Sequence, residues 1–308
     1  MPTFKSQIIN FLLRNRNIIN GKFRKEVYDM NTSIQAFRDA CEKGAARFGS
    51  VPQGVNIQAD VIQGIKSEWL QVTGANPDKI IMYVHGGGYV SGSCNDHRGL
   101  VSKLAKQCGY NILTYEYRLA PEHPFPAAVD DSLTVYKYLI EERGYNWQNI
   151  MLVGESAGGG LLLALLLALK DKSLPMPAAA VSLSPWTDLT CSGESYRTKN
   201  KRSLAPTNSW FVFAAHYAGT TDLKHHLISP LFGDPSGLPP ILINSGTDDE
   251  LFDDGKSFYL KAKERGVDIT FRSGEGMVHC YPFFSPFFKE AKEAMDEIVA
   301  FIRKHLDK

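Results

Sequence analysis

Cysteine is scarce and scattered in this chain: Cys41, Cys94, Cys108, Cys191 and Cys280 are odd in number and include no C-x-x-C pair. That pattern argues against both a disulfide framework and a zinc site, and it fits a reducing compartment. Net charge is nearly absent as well. Thirty-four Lys and Arg against thirty-three Asp and Glu leave +1, which gives nucleic acid or an anionic membrane no field to follow. Long apolar runs are missing too. The longest, Leu161 to Leu169, is about half of what a membrane span needs, so it reads as a helix buried on most sides. The opening Met1-Pro2-Thr3-Phe4-Lys5 has no long apolar core of the signal-peptide kind. These absences lead to the expectation of a soluble cytoplasmic protein.

What the chain does have is length and alternation. Its 308 residues, 44% of them hydrophobic, can bury a large α/β core. Residues 1–50 carry two helical patterns, roughly Phe4 to Ile19 and Ser33 to Phe48, and no strand. From Val55 onward strand and helix patterns alternate. Strands are expected at Val55 to Val72 in two pieces, Ile80 to Val84, Asn111 to Tyr117, Ile150 to Val153, Ala178 to Ser184, Pro240 to Gly246 and Asp268 to Arg272. Helices are expected at Ala128 to Arg143, after Ser156, up to Arg265, and from Phe284 to Leu306. The rhythm breaks only at 186–226, an aromatic stretch holding Trp210, Phe211, Phe213 and Tyr217. This implies a mostly parallel sheet flanked by helices, with ligands at the carboxyl ends of the strands.

Two glycine-rich turns lie at such strand ends. Gly154-Glu155-Ser156-Ala157-Gly158 joins a strand to a Leu/Ala helix. A serine hydroxyl needs exposure, restraint and a neighbouring base to act as a nucleophile, and a G-x-S-x-G turn provides a strained, projecting position. The N-H of Ala157 then points from a helix N-terminus, where negative charge is favoured. His85-Gly86-Gly87-Gly88-Tyr89 follows a buried strand, and a loop without Cβ atoms lets several N-H groups converge, as an oxyanion site requires. A phosphate-binding loop would add the Lys-Ser/Thr that is missing here. His279 and the acids of 248–254 also follow strands, so one sheet edge can gather serine, acid and base in that chain order. Arg118 and Glu122, in a proline-rich loop, read as pins of that loop. His123 lies between prolines and is a poor base candidate, and the pair His225-His226 is not at metal-ligand spacing.

These motifs together resemble the hormone-sensitive-lipase family of α/β-hydrolases. The match runs through His85 to Tyr89, Tyr117 to Glu122, Phe125 to Ala128, Gly154 to Gly159, Ser229-Pro230 and His279. The resemblance implies a core at 50–185 and 227–308, a helical cap at 1–49 and 186–226, and a serine carboxylesterase acting on short acyl esters. It implies a triad of Ser156, Asp249 and His279, with the oxyanion held by the N-H groups of Gly87, Gly88 and Ala157, and no metal or organic cofactor. Two positions depart from the family pattern. Glu155 stands where aspartate is common, outside the proton path. The usual Asp-Pro-Leu of the acid is Asp249-Glu250-Leu251 here, so the match through Leu251 and Asp253 selects Asp249, with Asp248 the rival. A small-molecule ester is the expected partner, without nucleic acid or membrane insertion, and a homodimer is one of the states the sequence leaves open. Amide hydrolysis at the same site, lipase action on emulsions and a ligand-binding pseudo-hydrolase are the competing readings.

Overall fold

The computed structural model describes residues 2–15, 25–45 and 50–308. Eight strands form one sheet: β1 Val55–Ile62, β2 Ile65–Val72, β3 Ile80–Val84, β4 Asn111–Tyr115, β5 Ile150–Glu155, β6 Ala179–Leu183, β7 Ile241–Gly246 and β8 Ile269–Gly274. Their spatial order is β1-β2-β4-β3-β5-β6-β7-β8. β2 is antiparallel to both β1 and β4, and every pair from β4 to β8 is parallel. The α-helices among the described residues are α1 Phe4–Arg14, α2 Ile34–Ala45, α3 Cys94–Cys108, α4 Ala127–Glu141, α5 Ala157–Asp171, α6 Glu194–Thr198, α7 Ser209–Ala218, α8 Phe252–Glu264 and α9 Lys289–Leu306.

Successive strand residues face opposite ways, and here both faces are apolar. On β5, Ile150 and Leu152 join the layer formed by α4, α5 and α8, whereas Met151 and Val153 join the layer formed by α3 and α9. Covering both faces explains why the central strands read as unbroken apolar runs. It also explains the Leu/Ala run, since residues 157 to 169 of α5 are all buried. Among the described residues no helix is long and apolar enough to cross a membrane.

The boundaries differ from the sequence expectation by a residue or more at several elements, and helix α3 is not among those expected; three of the differences are as follows. β4 stops at Tyr115, because its neighbour β3 turns away into the glycine loop and the ladder ends at the Tyr83–Thr114 pair. The closing helix begins at Lys289 rather than Phe284: Tyr281–Phe284 is a short 3-10 turn, and Pro286 disfavours helix at the residue before it. The first helix ends at Arg14. The remainder of its expected span, 16–19, lies outside the described residues, as do 46–48 of the second.

Residues 25–45 and the stretch between β6 and β7 pack against each other. Tyr28 N-H donates to Thr207 O at 2.9 Å and Thr207 N-H to Glu26 O at 2.8 Å. The rings of Phe37 and Phe213 stand 5.1 Å apart.

Candidate active site

The parallel strands deliver four turns to one edge of the sheet. After β5 the chain reverses at Ser156, whose φ of 57° and ψ of −125° lie where an L-residue is strained by about 1–3 kcal/mol. The turn is enforced by crowding. A Cβ on Gly158 would sit 2.2 Å from Val84 O and 2.3 Å from His85 O, so only glycine lets the helix start this close to β3. Ser156 N-H donates to Leu183 O at 2.8 Å, and its carbonyl accepts from Trp186 N-H at 3.0 Å. The residue is 7% exposed. Among the described residues the Ser156 hydroxyl makes no hydrogen bond, to His279 or otherwise. Nucleophile–base contacts are often loose before substrate binds.

After β3 comes the glycine loop. The N-H groups of Gly87 and Gly88 have no acceptor among the described residues, and Ala157 opens α5, where N-H groups lack intrahelical partners. Gly88 has φ +67° and a would-be Cβ 2.4 Å from the Phe213 ring, so α7 lies directly on the loop. Gly86 N-H is committed instead: it donates to Glu155 Oε1 at 2.6 Å. Glu155 Oε2 accepts from the Tyr83 hydroxyl, and Oε1 also lies 3.0 Å from His97 Nε2. The other nitrogen of His97 meets Asp96. Burial by itself would lower the His97 pKa, but its bonds to Asp96 and Glu155 outweigh that and hold it well above the ordinary value. His85 stacks on Tyr117 at 4.1 Å, and burial, helped by the neighbouring His97, pushes its pKa down to about 4.

The turns carrying Asp249 and His279 follow β7 and β8. His279 Nδ1 is 2.7 Å from Asp249 Oδ2, and Asp249 Oδ1 accepts from Leu251 N-H at 3.1 Å. Asp249 is 2% exposed. Burial tends to lower the His279 pKa, but the Asp249 carboxylate more than reverses this and raises it well above 6.5. Trp210 of α7 meets the imidazole edge-on at 6.0 Å between ring centres. The His279 turn is tied back towards Ser156, because Cys280 N-H donates to Ser184 Oγ at 3.1 Å, one residue beyond the carbonyl that holds Ser156. Asp248 faces the other way, to Arg14, Arg202 and Lys199.

His279 and Gly87 open on a mainly apolar cavity of about 660 Å³, whose walls include Leu100, Leu104, Phe283 and Met295, with Cys41 and Gly44 of α2. A hollow of about 670 Å³ among residues 191–211 contains none of these groups. Arg118 grips Asp131, and Glu122 grips Arg38 at 2.7 Å, so each pins the loop through a different partner. His123 is exposed, and His226 pairs with Asp171. Among the described residues no group of three His, Cys, Asp or Glu is arranged to hold a metal ion. Sequence reasoning passed over His97 and Asp96, and it noted Glu155 only as a departure outside the proton path, without its hold on Gly86. A carboxylate inside the serine pentapeptide was the one signal available, since His97 is 58 positions away and carries no motif of its own.

Residues 81–283 match the model of a family described as the alpha/beta hydrolase fold. An acetyl-hydrolase of Streptomyces hygroscopicus is 37% identical over 276 residues, covering 89% of this chain and 91% of its own. The crystal structure of an esterase from the bacterial hormone-sensitive lipase family is similar with a TM-score of 0.89 at 34% identity, covering 99% of each chain. The crystal structure of EstE5 soaked with p-nitrophenyl butyrate has a TM-score of 0.89 at 34% identity, covering 99% of this chain and 100% of that one.

Proposed function

The chain belongs to the α/β-hydrolase family, in its hormone-sensitive-lipase group of esterases, and from that membership we propose that it hydrolyses short-chain carboxylic esters through Ser156, His279 and Asp249. The observation that carries this reading is the 2.7 Å pairing of His279 Nδ1 with Asp249 Oδ2 at the strand ends beside the serine turn. With Nδ1-H donating to the carboxylate, Nε2 is left as the proton acceptor. Nε2 takes the Ser156 proton as Oγ attacks the ester carbonyl, and Asp249 stabilises the imidazolium that results. The carbonyl oxygen becomes an oxyanion held by the N-H groups of Gly87, Gly88 and Ala157. The imidazolium then protonates the departing alcohol. Water repeats the sequence on the acyl-enzyme and releases the acid.

The described residues before 50, together with 186–226, act as a cap over a core of 50–185 and 227–308. Support for this comes from Phe213 lying on Gly88 and Trp210 on His279. The short-acyl preference draws on the acetyl-hydrolase relative and on the butyrate ester used with EstE5. The apolar cavity offers the ester its binding surface. Five free thiols fit a cytoplasmic setting.

The test is a chain-length series of p-nitrophenyl esters with an aryl acetamide included and Ser156→Ala as blank. Turnover is expected for acetate and butyrate, falling for long chains, and none for the variant. A serine-directed organophosphate should add once, at Ser156. Full turnover by Ser156→Ala ends the proposal, and faster cleavage of the acetamide than of the esters moves it to amides.

A further inference from the structure

The triad chemistry needs the turn carrying Asp249 and the turn carrying His279 to stay in register. Their own backbones supply part of this: Thr247 N-H donates to Gly274 O at 2.9 Å, Asp248 N-H to Met277 O at 3.0 Å, and Gly276 N-H to Thr247 Oγ1 at 2.8 Å. A third segment reaches both turns. Arg14, the last residue of α1, donates through Nη2 to Asp248 Oδ2 and to Gly276 O, the latter at 3.0 Å. Asn10, one helical turn earlier, donates to the same Gly276 carbonyl at 3.0 Å. The helix behind them is anchored, since the Thr3 hydroxyl donates to Glu290 at 2.9 Å and the Ser6 hydroxyl to the same carboxylate at 3.0 Å.

The Asp248 side chain is 6% exposed and is the counter-ion of this bridge. Its second oxygen accepts from Arg202 Nη1 at 2.8 Å, with Lys199 Nζ 3.8 Å away. His279 is faced by Asp249 from the β7 turn, by the thiol of Cys280 on its own turn and by the Trp210 ring from α7. Arg14 reaches the imidazole only through the two turns it joins.

Resting on the esterase reading above, we propose that Arg14 is a positioning residue: by bridging the Asp248 carboxylate and the Gly276 carbonyl it sets the separation of the Asp249 and His279 turns. Both bonds leave the one Nη2 group, whose two N-H directions are fixed in the guanidinium plane, whereas a lysine ammonium is a point charge that rotates on a flexible stem. Asp248 serves as the anchor of the bridge and stays out of the proton relay.

The experiment uses the full chain with Arg14→Met, Arg14→Lys and Arg202→Met, and measures kcat and KM on p-nitrophenyl acetate across pH. Misplacing reacting groups by about 1 Å costs on the order of 100-fold, and a loosened bridge is expected to give about 10-fold or more in kcat for Arg14→Met, with KM little changed. The acid limb of its kcat/KM profile moves to lower pH, because a slackened Asp249–His279 pair protects the imidazolium less. Arg14→Lys recovers only part, and Arg202→Met, on the other carboxylate oxygen, leaves the limb in place. Amide hydrogen exchange at residues 275–278 rises in Arg14→Met, a readout that needs no turnover. Lost activity with an unmoved acid limb, or full recovery in Arg14→Lys, overturns the proposal. An active Ser156→Ala would sink the esterase reading alone, and unchanged exchange at 275–278 would sink the bridge alone.

Discussion

Replacing Glu155 by alanine tests whether the glycine loop proposed to hold the oxyanion is itself held by a side chain rather than by its own glycines. The carboxylate accepts from Gly86 N-H at 2.6 Å and from the Tyr83 hydroxyl, and it faces His97 Nε2 at 3.0 Å. Each buried donor left unpaired costs about 1–3 kcal/mol, so the loop is expected to shift until Gly86 finds water or another acceptor. Outright loss of one oxyanion donor costs about 2.7–4 kcal/mol. A displaced loop keeps its donors but aims them poorly, and taking about half of that range gives ~1.4–2 kcal/mol, or roughly 10–30-fold in kcat. The assay is kcat and KM on p-nitrophenyl acetate, with the thermal midpoint recorded to show that the variant is folded. Glu155→Gln keeps a carbonyl oxygen for Gly86 and should recover most of the rate. A folded Glu155→Ala with kcat within about twofold of the parent, or a glutamine variant as slow as the alanine one, would refute the reasoning.

Asp249→Asn should lower kcat by about 10³–10⁴-fold, because the imidazole loses the partner that fixes its tautomer; steady-state kinetics with Asp248→Asn alongside, expected to retain far more, checks the assignment. On the proposed mechanism kcat/KM needs neutral His279 in the free enzyme, so activity should rise with pH through a midpoint above 6.5, the Asp249 carboxylate having raised the imidazole pKa against the effect of burial. In Asp249→Asn that midpoint should fall, and a flat profile from pH 5 to 8 would count against a histidine base. Gly158→Ala places a methyl group against the carbonyls of Val84 and His85, and urea unfolding should show a loss above about 4 kcal/mol, the range reserved for core or backbone conflict.

The parts of the molecule that were legible in the sequence are those written in local pattern. Unbroken apolar runs bounded by glycine turns gave the parallel strands, because a strand covered on both faces needs no alternation, and the Leu/Ala run after Ser156 declared a buried helix in the same way. The ends of elements were less legible where a neighbour decides them: Tyr117 has the composition of a strand residue, but β3 has already left the sheet at that level. His97 was out of reach for a related reason. Nothing near it in the chain differs from an ordinary helix N-terminus, and its role follows from Glu155, which the fold brings over from another strand end.

The acidic turn shows the same limit at the scale of single residues. Asp248, Asp249 and Glu250 are consecutive, all buried, and alike to any reading of composition. Successive side chains in a tight turn point in different directions, and here the three carboxylates divide between Arg14 with Arg202, His279, and Trp210 with Asn200. The middle carboxylate faces His279 while its two neighbours bind residues of the N-terminal helix and of the 186–226 stretch. Strain applied through the Arg14 bridge to Asp248, or through the Asn200 contact of Glu250, should therefore reach the Asp249–His279 pair through a single peptide unit. A substitution in α1 or at Asn200, far from the reacting atoms, should then register in the protonation of His279 before it registers in substrate affinity.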